Sequence, residues 1–199
     1  VAVRVPAHSV AHALIETVAF PIAAPSANAS GKISPTTAAH VGASLSGKVS
    51  CILDGGTCSI GLESAVVDLS GGTSALLRPG GITVEEIEAV IGPIEIGGDD
   101  DPLKSPGMLS RHYAPEVPIR LNADDFEANE SVLGFGPNAP EDALNLSASG
   151  DLVEAAANLF AMLHELDQPG AGTIAIMAIP EEGLGLAIND RLRRAAWRE

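Results

Sequence analysis

The chain has 199 residues, enough for one large or two modest domains, and 46% hydrophobic with only 3% aromatic content builds its core from Val, Ile, Leu and Ala. A net charge of −15, from 26 acidic against 11 basic residues, excludes a generic binder of nucleic acid, because counterion release needs clustered Lys and Arg. Two cysteines, Cys51 and Cys58, make no Cys-x-x-Cys pair, so neither a zinc site nor a disulfide framework is expected; no apolar run reaches the ~18 residues of a membrane span.

With no signal peptide visible, the cytoplasm is the expected compartment. Residues 1–5 alternate as a half-buried strand, and without an initiator Met ahead of them the chain reads as a fragment cut inside its first domain. Pro6 stops that strand, and Ser9 is placed to cap a short helix with an apolar stripe at Val10, Leu14 and Val18. Ile22, Ala23 and Ala24 read as a short buried strand. A dense polar loop follows over residues 25–37, and Ser34 before Pro35 predicts a helix start, running to about Ala43. Strands are predicted at 51–53, 64–69 and 75–78, and Thr83 with Glu86 predicts a capping box for a helix over 84–91.

The texture then changes. From Gly97 to Pro118 the chain is rich in Gly, Pro and charge, which marks a boundary between a unit at 1–96 and one at 119–199, with 97–118 as linker. Beyond it, strands at 117–121, 131–135 and 172–179 alternate with helices at 151–166 and 184–197. That order predicts a small parallel sheet with crossover helices.

The loop at 26–37 is the best candidate for chemistry. A helix N-terminus presents unpaired amides and partial positive charge, which suits an anion such as phosphate. Ser26, Ser30 and Ser34 add hydroxyls, Asn28 a carboxamide and Lys32 a cation, but the Gly-Lys-Ser/Thr ending of a P-loop is missing. Arg78 ends a strand, where open α/β sheets bind ligands, and a guanidinium pairs well with phosphate or carboxylate. Arg4 and Ser64 are placed to line a cleft or to face solvent. His8 and His12 have metal-ligand spacing but no third ligand, so no metal site is assigned. His112 and Tyr113 are large rings in a polar linker and want a partner surface, as a lid would supply. The charged stretch 189–194 reads as an interface or a helix surface, and the charge run by itself favours the surface.

The segments VAVRVPAH, PIAAPSANASGKISPT, ILDGG, GLESAVVD, LLRPGGIT, SPGMLSRHYAP and EEGLGLAINDRLRRA, in this order over nearly the whole chain, resemble the long-form threonylcarbamoyl-AMP synthases. The resemblance implies a fold: the twisted mixed α/β sheet of a YrdC-like catalytic domain, incomplete here over 1–96, a linker or lid at 97–118, and a small Rossmann-like parallel α/β domain at 119–199. It also implies an activity, in which ATP, L-threonine and bicarbonate become threonylcarbamoyl-AMP and pyrophosphate. The product then passes to the transferase machinery that modifies tRNA adenosine. Under the same resemblance, Arg4 and Ser64 hold threonine, with Arg4 on its carboxylate. Ala24 (through its backbone), Ser26, Ser34, Arg78 and Tyr113 contact the nucleotide, and Ser26 and Asn28 belong to the family's catalytic Lys-Arg-Ser-Asn set. ATP is a substrate, Mg²⁺ is expected with it, no protein metal site is assigned, and no membrane is involved.

Two departures stand out. The Lys and Arg of that set are absent, so the fragment by itself is expected to be inactive, and Ala65 stands where the family usually has Thr. The alternative is a non-catalytic YrdC-like module that binds RNA or a nucleotide, with RNA held weakly by so acidic a chain. A carbamoyl-adenylate enzyme of hydrogenase maturation is a further rival, which the long-form linker argues against.

Overall fold

The computed structural model of the chain describes residues 1–97 and 112–197. Helix α1 (Ser9–Val18) and helix α2 (Ala38–Leu45) precede a three-stranded mixed sheet of β1 (Val66–Asp68), β2 (Ala75–Arg78) and β3 (Glu95–Ile96). β1 and β2 pair antiparallel, and β2 and β3 pair parallel around helix α3 (Val84–Ile91). The predicted capping box opens α3: Glu86 N donates to Thr83 Oγ1 at 3.3 Å and Thr83 N to Glu86 Oε2 at 2.8 Å. This β2–α3–β3 crossover leaves Arg78 at the carboxyl end of β2, where α/β sheets receive ligands.

Several local expectations give way. The stretches 1–5, 22–24 and 51–53 form no strand, and Val1, Val3 and Val5 lie exposed. Alternation supplies only the side-chain pattern; a strand also needs a neighbour to take its backbone hydrogen bonds, and none lies beside these stretches among the described residues. The strand expected at 64–69 is cut to Val66–Asp68, with a register shift between Val66 and Val67. Ser9 is the first residue of α1, not its cap; His8 is the N-cap and its side chain makes no capping bond. The next helix starts at Ala38, not after Ser34. Thr37 is its cap, its hydroxyl accepting from His40 N at 3.2 Å, because the Ser34 hydroxyl is committed elsewhere and Thr36 is buried. None of α1, α2 or α3 buries a residue fully.

The core lies mainly in the second half. There β4 (Ile119–Arg120), β5 (Ser131–Gly134), β6 (Leu144–Asn145) and β7 (Ile174–Ile176) form a wholly parallel sheet in the order β4-β7-β5-β6. β6 was not foreseen: two residues carry no periodicity. Strand β7 is buried throughout, as a central parallel strand covered on both faces must be. Helix α4 (Leu152–Leu166) is capped by Asp151, whose carboxylate accepts from the amides of Val153 and Glu154, and presents Ala155, Ala156, Leu159, Phe160 and Leu163 to the core. Helix α5 (Leu184–Ala196) packs beside it.

Most of the predicted linker, with its Ser105–Met108 segment, lies outside the described residues. Its end does not hang free. Tyr113, Ala114 and Val117 are buried, Ala114 N donates to Gly31 O at 2.8 Å, and Lys32 bridges to Ala114. Ile33 and Tyr113 join the same apolar cluster as α4 and β7, with Leu62 packed against it. Gly61 (φ +73°) presses on α4, since a Cβ there would sit 2.3 Å from Ala156 O. One core thus reaches across both halves.

Candidate active site

Three of the expected residues converge in the first half. Arg4 Nη1 reaches Ser64 Oγ at 3.4 Å, and Arg78 Nη2 donates to Ser64 O at 2.8 Å. The close approach of the 79–81 turn makes this possible, because Gly80 lies directly against the backbone of residues 63–65. Arg78 is 8% exposed. Burial, and then the like charge of Arg191, pull its guanidinium below the ordinary value. Such a cation gains from an anionic ligand more than one bathed in water does.

Beside this cluster an open cleft of about 300 Å³ is lined by Ser26, Ser34, Thr37, Ile52, Gly56 and Glu63 among others. It is mainly apolar, with a few convergent polar groups, the usual make-up of a small-molecule site. Ser26 and Ser34 therefore share one wall, as the loop reading expects. Asn28 does different work: its amide nitrogen donates to the carbonyls of Ala29, Lys32 and Ile33, at 3.1, 3.0 and 3.2 Å, and so holds the loop's shape. Ala24 is exposed on the approach to that loop. Lys32, proposed from the sequence as a phosphate cation, instead pairs with Glu116.

Tyr113 is 1% exposed, with φ +62°. It lies under the Arg191 guanidinium, 5.3 Å from its ring centroid, and 5.5 Å from the Phe160 ring. It therefore occupies the seam between the halves. His8 reaches Gly55 O at 3.2 Å and His12 pairs with Glu16; among the described residues no group of three His, Cys, Asp or Glu side chains gathers.

Sequence reasoning missed Glu63, Arg191 and His164. Glu63 Oε1 accepts from Ser34 Oγ at 2.5 Å and Oε2 from Arg191 Nε at 2.8 Å. Burial alone would raise the Glu63 carboxyl, but the Arg191 charge and the Ser34 hydroxyl outweigh it, so Glu63 stays below the ordinary value and ionised. His164 Nε2 lies 3.1 Å from Ser34 O, and its ring meets His40 at 4.1 Å. Nothing local signals these partners, which lie 128 and 130 residues apart.

The histidines set a pH response. Burial, then the facing His164, hold His40 below its ordinary 6.5. His112 is also lowered, by burial above all; Glu63 opposes this, and Arg191, Arg78 and Arg194 add to it. Each binds a proton less readily folded than unfolded, so the unfolded chain takes up more protons below 6.5 and stability falls with pH there. Urea midpoints are expected to be level above about pH 7 and to drop between about pH 6.5 and 5, with His40→Gln flattening part of the slope. Level midpoints across that range would contradict the assignment.

Comparison with known proteins gives this arrangement a family. Residues 82–197 match the family described as the threonylcarbamoyl-AMP synthase C-terminal domain, and residues 1–80 match one described as telomere recombination. The threonylcarbamoyl-AMP synthase of Pyrococcus abyssi is 44% identical over 98% of this chain and 64% of its own length. That of Bacillus subtilis is 39% identical over 98% of this chain and 63% of its own length. The chain thus spans a little under two thirds of the relatives it matches. The crystal structure of P. abyssi Sua5 complexed with L-threonine superposes with a TM-score of 0.84 at 41% identity, covering 97% of this chain and 63% of that one. With a parallel C-terminal sheet, a mixed N-terminal sheet and matches along its whole length, the chain belongs to the threonylcarbamoyl-AMP synthase family.

Proposed function

We propose that the protein containing this chain makes threonylcarbamoyl-AMP from ATP, L-threonine and bicarbonate, releasing pyrophosphate, for the threonylcarbamoyl modification of tRNA adenosine. The observation that carries the reading is the convergence of Arg4, Ser64 and Arg78 beside the cleft that holds Ser26 and Ser34, in a chain superposing on a threonine-bound relative. In this reading the 1–96 unit supplies the site and the 119–199 unit, joined to it by the linker at 97–118, backs it.

In this reading Arg4 pairs with the threonine carboxylate and Ser64 binds its polar groups. Bicarbonate takes up a proton and loses water to give carbon dioxide. The threonine amine adds to it and releases a proton to form a carbamate, and a carbamate oxygen attacks the α-phosphorus of ATP. The bond from that phosphorus to the bridging oxygen breaks, and pyrophosphate leaves. Ser26, Ser34 and the Ala24 backbone hold the nucleotide, Asn28 keeps their loop in shape, and Arg78 offsets the phosphate charge. Such a reaction asks for placement and charge stabilisation more than for a covalent nucleophile. Mg²⁺ is expected as a companion of the triphosphate, whose oxygens suit a hard cation.

The test is pyrophosphate release by the full-length protein with ATP and Mg²⁺, with and without threonine and bicarbonate. Release that needs both is the expected result. Release indifferent to threonine would overturn the reading, and no release at all would favour a non-catalytic nucleotide- or RNA-binding module.

A further inference from the structure

Glu63 stands where the two halves meet, and each of its carboxylate oxygens serves one of them. Oε1 takes the Ser34 hydroxyl at 2.5 Å; Oε2 takes Arg191 Nε, from helix α5, at 2.8 Å. Arg191 has no solvent exposure. Asp190 Oδ2 accepts from its Nη1 at 2.6 Å, the Tyr113 ring lies against its face, and Arg194 Nε donates to the other Asp190 oxygen at 2.9 Å. A charge so deeply buried is expensive unless it is paired in good geometry. The pairing here fixes the Glu63 carboxylate from behind. From α4, His164 Nε2 meets the Ser34 carbonyl at 3.1 Å, so the second half reaches Ser34 directly at its backbone and, through Glu63, at its side chain.

A serine hydroxyl has one proton to donate and lone pairs that accept. With that proton committed to an ionised Glu63, Ser34 turns only lone pairs toward the cleft. We propose that Arg191 is a positioning residue for the nucleotide site: acting through Glu63, it fixes the Ser34 hydroxyl as a hydrogen-bond acceptor toward the bound nucleotide. Ser34 then meets a donor on that nucleotide, such as a ribose hydroxyl or an exocyclic amine, and not a phosphate oxygen. The C-terminal helix thereby contributes to nucleotide affinity without touching the nucleotide. This rests on the nucleotide-binding reading of the cleft.

The test uses the full-length protein and Arg191→Lys, Arg191→Met and Glu63→Gln, each also in a Ser34→Ala background. Lys retains the charge but loses the planar fork, and it guards against a Met variant that fails to fold. The expected result is a KM for ATP raised about 10-fold, with the KM for threonine and kcat each changed less than about 3-fold, in line with typical coupling between sites. In the Ser34→Ala background the Arg191 substitutions add nothing further. Equal effects with and without Ser34, or lost thermal stability at unchanged KM, would overturn the proposal. Should the unsubstituted protein release no pyrophosphate, the functional reading fails by itself, and amide hydrogen exchange then judges the coupling: faster exchange in Arg191→Lys at residues 34–36 supports it, and unchanged exchange refutes it.

Discussion

Arg78→Ala in the full-length protein is expected to lower kcat/KM for threonine-dependent pyrophosphate release by about 100- to 1000-fold, the range seen when one aimed donor is removed from developing charge. Two losses combine. In the proposed reading the buried guanidinium no longer opposes the phosphate charge, and Ser64 O loses the donor that reaches it at 2.8 Å. Arg78→Lys separates them: it keeps a cation but not the fork that spans Ser64 and a ligand, so it should recover only a small part of the rate. Steady-state kinetics at saturating and limiting ATP would show it. Near-normal activity in Arg78→Ala would remove Arg78 from the site and leave its contact with Ser64 as a purely structural bond.

Gly80→Ala is expected to be among the most damaging single methyl additions in the first half. A Cβ at Gly80 would lie 2.1 Å from Ala65 N, 2.4 Å from Ser64 C and 2.5 Å from Glu63 O. These are backbone atoms and cannot swing aside as a side chain would. The 79–81 turn must move off residues 63–65, at a cost of about 3 kcal/mol in unfolding free energy. The movement also parts Arg78 from Ser64, so under the proposed function threonine binding is expected to weaken in step with stability. Gly72→Ala is the control, since a Cβ there meets nothing within 4 Å and should cost little. Urea unfolding together with calorimetric threonine titration reads both effects. Equal stabilities for the two variants would show that the turn does not press on residues 63–65.

Chain order hides the contacts that join the two halves. Glu63 reads, in sequence, only as the residue before a strand, and the charge run at 189–194 favours a surface over an interface. In the fold, Asn189, Asp190 and Arg191 are buried, and Arg191 carries the contact to Glu63. The periodicity of α5 is legible, but which side of it meets another element is not, because that depends on where the helix lands. The linker shows the same limit. Gly, Pro and charge mark a change of texture in the sequence, yet the end of that stretch folds in, and Tyr113 becomes part of the core.

The sequence by itself determined what is settled within a few residues. The Thr83–Glu86 capping box, the β2 strand ending at Arg78 and the strand–helix alternation that makes the second sheet parallel all hold in the structure. It also carried the family in its motifs. Only the tertiary structure decided which of the alternating stretches become strands, because a ladder needs a neighbour. It likewise turned Asn28 inward, gave Lys32 to Glu116, and joined Ser34 to Arg191 through Glu63. Those choices are made by charges and hydroxyls that must find partners once buried, and the partners come from whichever distant segment the fold brings within hydrogen-bond reach.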